Sequence, residues 1–119
     1  MSDTQPLIAV LSRVPLVSEG IAAALDGLAD VRHFSSDGDT DGLLRSLLPD
    51  AVVVDSWERA DATVAFAREA DTPLLHISLL ERRLRIYGRE GWREDLGDGA
   101  SSEAIRNALA GALYGRERP

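Results

Sequence analysis

Cysteine is absent from this 119-residue chain, and so is lysine. The first absence removes disulfides, thiol catalysis and every cysteine-based zinc or iron–sulfur site. The second places all basic charge on arginine, thirteen residues against twenty acidic ones, for a formal net charge of −7. An acidic chain gains nothing from a polyphosphate backbone or an anionic bilayer, so neither nucleic acid nor membrane is an expected partner. Two histidines are too few for a histidine-rich metal centre. Aromatic residues make up only 5 % of the chain. No apolar run approaches the roughly 18 residues that span a bilayer. Met1 is followed by Ser-Asp-Thr-Gln-Pro, without the basic start and apolar stretch of a secretory leader, so a cytoplasmic location is expected. What is present is an ordinary globular mixture, 45 % apolar and 28 % charged, with the length of one domain covering residues 1–119.

Leu7-Ile8-Ala9-Val10-Leu11 is a short apolar run with β-branched members, the pattern of a strand buried on both faces. Pro15 suits a first helical turn. Val17, Ile21, Ala24, Leu25 and Leu28 then share one helix face, and Gly27 and Asp30 close the element. Val31 to Phe34 reads as a second strand and residues 35–42 as a polar loop. Leu43, Leu44, Leu47 and Leu48 make a short amphipathic helix that Pro49 stops. Ala51-Val52-Val53-Val54 is the most strand-like segment and ends on Asp55. A weaker helix is expected over the residues up to Ala70, opening near Asp61. Leu74-Leu75-His76-Ile77 is a fourth strand ending on Ser78. Residues 81–95 fit a strand, a hairpin or a broken helix equally. Ser102 is read as the N-cap of a last helix whose stripe is Ile105, Ala108, Leu109, Ala112 and Leu113.

Strands alternating with helices, and strands that need cover on both faces, favour an open parallel sheet between two helical layers. Right-handed crossovers would set the strand C-termini on one edge, where such folds place their chemistry. Ser12, Arg13, Phe34, Ser35, Asp55 and Ser78 would share that edge.

Leu47-Leu48-Pro49-Asp50-Ala51-Val52-Val53-Val54-Asp55 resembles the third-strand signature of response-regulator receiver domains, the CheY-like family. Val17-Ser18-Glu19-Gly20-Ile21 is similar to the first helix of that family, and Glu103-Ala104-Ile105-Arg106 with Ala110-Gly111 to its last helix. The resemblance covers most of residues 7–113. It implies a flavodoxin-like sheet of order 2-1-3-4-5 with helices on both faces. It also implies that Asp55 occupies the phosphoacceptor position, fed by a histidine kinase, and Ser78 the switch position. The departures are equally specific. Receivers follow the first strand with acidic residues that hold Mg²⁺, where this chain has Ser12-Arg13. They end the fifth strand on a lysine, and this chain has none. The interval between Asp55 and Ser78 is short, the helix before the fifth strand is hard to find, so that residues 79–100 are atypical, and no output module follows.

Phosphoryl transfer depends on charge neutralisation by a metal and a cation. A single carboxylate is a poor Mg²⁺ site, and Arg13 would put a guanidinium where the metal belongs, paired with Asp55. The expectation is therefore a stand-alone, non-enzymatic pseudoreceiver that works through protein contacts. It needs no cofactor, and Mg²⁺ only if Asp55 is phosphorylated. A phosphorylated single-domain response regulator and a small flavodoxin-like enzyme are the alternatives. No nucleophile–base pair and no glycine-rich phosphate loop supports the enzyme.

Other signals have plain structural readings beside them. Asp37-Gly38-Asp39-Thr40-Asp41-Gly42 matches half of a calcium loop, but the twelfth position is Leu48 rather than a glutamate, and Leu48 reads as a core residue of the helix. His33 and His76 lie in or beside strands with no second ligand, so no metal is assigned to either. Residues 81–95 carry five arginines against four acids, the signature of a solvated, salt-bridged face. Yet Tyr87, Trp92, Arg89 and Arg93 are residue types enriched in interface hot spots, and receivers use this region for partner and dimer contacts. They are the candidate surface for a protein partner or a second copy of the chain.

Overall fold

The structure is a computed structural model, and it describes residues 6–12, 15–34, 40–78, 83–88, 91–94 and 102–114. Within them the chain forms β1 (Leu7–Leu11), α1 (Pro15–Ala24), β2 (Asp30–Phe34), α2 (Thr40–Leu47), β3 (Ala51–Val54), α3 (Trp57–Ala70), β4 (Leu74–Ser78), β5 (Arg83–Gly88), β6 (Gly91–Glu94) and α4 (Ser102–Tyr114). The strands make one sheet of order β2-β1-β3-β4-β5-β6. Pairing is parallel from β2 through β4. It is antiparallel between β4 and β5 and between β5 and β6.

An open α/β sheet with helices on both faces is thus observed, but the expectation of a parallel fifth strand beside β4 is corrected. Ser78 pairs with Arg83, so only residues 79–82 separate the two strands. A parallel return needs a crossover of roughly a dozen residues or more, whereas an antiparallel one needs only a turn. The stretch left open between strand, hairpin and broken helix is a hairpin.

The central strands are buried on both sides, which is why they read as unbroken apolar runs. Ile8, Val10, Ala51, Val53, Leu75 and Ile77 pack under Ile21 and Leu25 of the α1 segment and Ile105 and Leu109 of α4. The intervening residues Ala9, Leu11, Val52, Val54 and Leu74 face the other way, against Leu44 of α2 and Ala60, Phe66 and Ala67 of α3. Each fully buried leucine or phenylalanine contributes about 1.5–3 kcal/mol relative to exposure.

Local chemistry sets the helix ends. Gly27 takes a φ of 79° just past α1, a left-handed conformation that costs glycine little. α2 starts at Thr40 and stops at Leu47, because proline at 49 cannot extend it. Leu48 takes a φ of 51° and is 69 % exposed, so its reading as a core residue is corrected. The helix opens at Thr40 and includes Gly42, so the second half of the segment that resembles a calcium loop is helical. Its first half, 37–39, lies outside the described residues. α3 opens four residues before the expected Asp61. Ser56 is its N-cap, with extended backbone and a hydroxyl accepting from the Arg59 N–H at 3.2 Å. Ser102, read as the N-cap, is the first residue of α4. The Arg106 guanidinium of α4 donates to the Ala24 carbonyl at 3.1 Å, satisfying one of the carbonyls that α1 leaves open at its C-terminus.

Candidate functional site at the strand C-termini

The parallel part of the sheet brings the ends of β1, β2, β3 and β4 to one edge, where α2 and α3 also begin. The third strand stops at Val54 and hands the chain to Asp55 and then to the capping Ser56. Asp55 is half-buried. Ser12, the first residue beyond β1, is fully buried, and its hydroxyl donates to Asp55 Oδ2 at 2.7 Å. Both residues follow strands that are directly paired, Leu11 against Val54, which is what brings them together across 43 positions of sequence.

Ser12 is itself held from the β2 side. Its N–H donates to the Phe34 carbonyl at 3.2 Å, and its carbonyl lies 2.8 Å from His33 Nε2. A carbonyl has no hydrogen to give, so Nε2 carries the proton in this contact. The imidazole is exposed. Sequence reasoning placed His33 as an isolated strand residue and missed its link to the site. The signal lay in its place one residue before the end of a strand adjoining β1.

The neighbouring helix starts are tied together as well. Arg59 in the first turn of α3 donates to the hydroxyl of Thr40, the first residue of α2, at 2.8 Å. Thr63 donates back to the Arg59 carbonyl at 2.7 Å. Ser78 is at the same edge, at the end of β4, with Arg83 beside it in register. Because β5 runs backwards, an arginine at its start occupies the edge that a residue at the end of a parallel fifth strand would reach. It is two strands from β3, about 10 Å at ~4.8 Å per strand. The sequence reading counted it only among the five arginines of residues 81–95 and did not assign it to this edge.

Arg13 lies outside the described residues, and so does its expected pair with Asp55. The donor that the structure places on Asp55 is the Ser12 hydroxyl. Mg²⁺ takes near-octahedral oxygen coordination through one or two carboxylates with waters and phosphate oxygens. Asp55 offers one carboxylate with an oxygen already accepting a hydrogen bond, and Ser12 offers a neutral hydroxyl whose proton points at that oxygen. The described residues therefore do not fit a divalent cation here. Among the described residues no group of three or more histidine, aspartate or glutamate side chains could hold a metal.

Tyr87 and Trp92 face each other across β5 and β6, with ring centroids 5.3 Å apart and planes at 64°. Both are half-buried and pack on the core beneath α3. They sit near the opposite edge of the sheet from Asp55, since Tyr87 pairs with Leu74 at the start of β4. Part of what looked like an interface signature is thus core cover. Arg89 lies outside the described residues, and Arg93 is paired with Ile86 along the hairpin. His76 is 5 % exposed in the middle of β4, between Val54 and Arg85.

An open cleft of about 300 Å³ lies between the C-terminal halves of α2 and α3, lined by Arg45, Leu48, Phe66, Glu69 and Ala70. Arg45 bonds Asp41 at 2.8 Å and Glu69 at 2.9 Å across it. These hydrogen bonds, Asp41 first, raise the Arg45 pKa above its ordinary value. All three groups are solvated, so the network orders the surface more than it stabilises the fold.

Comparison with family models, curated proteins and solved structures finds no match to the chain. No helix among the described residues is long and apolar enough to cross a membrane.

Proposed function

We propose that this chain is an atypical receiver-like module of flavodoxin-like descent, a pseudoreceiver that regulates through protein contacts in the cytoplasm without a phosphorylation cycle at Asp55. Three features support the family reading. The strand order β2-β1-β3-β4 is parallel, Asp55 directly follows a central strand, and α1 and the last helix cover one face while α2 and α3 cover the other. The observation that carries the loss of phosphorylation is the 2.7 Å bond from the Ser12 hydroxyl to Asp55 Oδ2. A receiver needs a metal-holding carboxylate beside the acceptor. Here the first residue beyond β1 brings a neutral hydroxyl to one of the two acceptor oxygens, and a neutral group supplies no charge to hold the neutralising metal.

The half-exposure of Asp55 favours one second reading, a single-domain response regulator phosphorylated there by a histidine kinase. Incubation with a small phosphodonor and Mg²⁺, followed by intact-mass measurement, separates the two. The pseudoreceiver gives no adduct. An adduct that disappears in Asp55→Asn would establish the second reading in its place. The contact surface is assigned to the β5–β6 hairpin and α4, as a homodimer or with another protein. Sedimentation equilibrium of the wild type and of Trp92→Ala, each checked for folding, tests the self-association.

A further inference from the structure

We infer that Asp55 is latched from the surface: the exposed imidazole of His33 holds Ser12, and Ser12 holds the carboxylate. The relay rests on geometry alone. It deepens the proposed function, and depends on that reading only in being called inhibitory, because it names what restrains the acceptor carboxylate.

The ladder between β1 and β2 ends at the Leu11–Phe34 pair. Ser12 is one residue beyond it and needs other partners to keep a fixed backbone. Its N–H donates to the Phe34 carbonyl, and its own carbonyl accepts from the His33 side chain at 2.8 Å. The imidazole so extends the ladder by one contact. With the backbone fixed on both sides and the residue fully buried, the hydroxyl is aimed at Asp55 Oδ2 at 2.7 Å. Of the three residues, His33 alone is exposed, whereas Asp55 is half-buried and Ser12 fully buried. A change at His33 that removes the Nε2 proton takes away one of the contacts that fix Ser12 and so weakens the hold of its hydroxyl on the carboxylate. The imidazole donates from Nε2 whether neutral or protonated, so the latch answers to occupation or modification of the ring rather than to its charge.

The test reads the reactivity of Asp55 in the intact chain. Carboxylates are amidated with a water-soluble carbodiimide and glycine ethyl ester, and the rate at Asp55 is followed by peptide mass mapping. Ser12→Ala removes a hydrogen bond to a charged group and should speed amidation about tenfold. His33→Ala should speed it in the same direction. His33→Gln, which offers an amide donor of similar reach, should return it toward the wild-type rate. Ser12→Thr keeps the hydroxyl and should also react slowly, with folding of every variant checked by far-UV circular dichroism. In the unmutated protein, diethylpyrocarbonate meets exposed His33 before buried His76. Acylation of either ring nitrogen leaves the other without a hydrogen, so it too should accelerate Asp55, and hydroxylamine should reverse it. If Ser12→Ala is faster but His33→Ala and the acylated protein are not, His33 is no part of a latch. If none is faster, there is no latch. A phosphoryl adduct on the wild type would overturn the proposed function without altering the amidation ratios, so the two claims fail separately.

Discussion

Ser56 is where the site and the fold share a residue, and replacing it gives the sharpest quantitative test of the local structure. Its backbone is extended, with φ −132° and ψ 147°, and its hydroxyl accepts from the Arg59 N–H at 3.2 Å. That N–H is one of four that the start of α3 cannot satisfy internally. Alanine adopts the same backbone without strain but brings no acceptor. Because Ser56 is exposed, water replaces part of the lost bond, which places Ser56→Ala near the middle of the usual capping range, at about 1 kcal/mol. Ser56→Gly should cost only a few tenths of a kcal/mol, since glycine leaves the orphan donors open to water. The expected order is therefore serine, then glycine, then alanine, with glycine above alanine, the opposite of their ranking inside a helix. With a urea m-value of about 1.5 kcal/mol/M, Ser56→Ala should move the unfolding midpoint down by about 0.7 M with m unchanged. The matching thermal shift is roughly 4 °C. If alanine proves as stable as serine, or more stable than glycine, the hydroxyl is not capping α3. The rigid hand-over from Val54 through Asp55 into the helix would then need another explanation.

Leu109→Ala in α4 removes a fully buried side chain from the face shared with α1 and should cost about 2–5 kcal/mol by urea unfolding, a large part of the stability of any small domain. Arg106→Met keeps the aliphatic stem of α4's cross-link but loses the bond to the Ala24 carbonyl. It should cost about 1 kcal/mol in the same assay, with faster amide exchange at the end of α1. A double-mutant cycle of Tyr87→Ala and Trp92→Ala should give a coupling of about 0.5–1.5 kcal/mol, the value of an edge-to-face pair, and zero coupling would mean the rings do not meet in solution. Arg45→Gln should have a small effect on stability that disappears in about 1 M salt, because the pairs with Asp41 and Glu69 are solvated.

The parallel half of the sheet was legible because its physics is local. An apolar run such as Ala51 to Val54 has only one stable place, between two helical layers, and its neighbours follow from the rule that strand–helix–strand units turn one way. Asp55 and Ser12 could be assigned to one edge on the same ground. Their hydrogen bond could not, because it depends on the register Leu11 to Val54 and on a rotamer, and neither leaves a trace in residue spacing. The start of α3 was missed for a different reason. The apolar stripe begins late, while the true start is signalled by the hydroxyl of Ser56, which a reading based on periodicity passes over. Leu48 misled in the opposite way. It continues the leucine pattern of α2, but the helix cannot pass into Pro49, so the side chain is left facing water.

The reversal at β5 has consequences that go beyond its direction. Four residues between Ser78 and Arg83 are too few for a crossover helix over β4 and β5. On the α3 face the hairpin's own rings, Tyr87 and Trp92, packed edge to face, add cover to the core. This gives the aromatic pair a structural duty that a surface hot spot would not have, and explains why both are half-buried rather than presented outright. A partner that docks on the hairpin must then use the outer sides of rings whose inner sides already belong to the core. Truncating either ring weakens fold and contact together, so a loss of association in Trp92→Ala counts as evidence for an interface only where the unfolding midpoint shows that the variant is still fully folded under the conditions of the measurement.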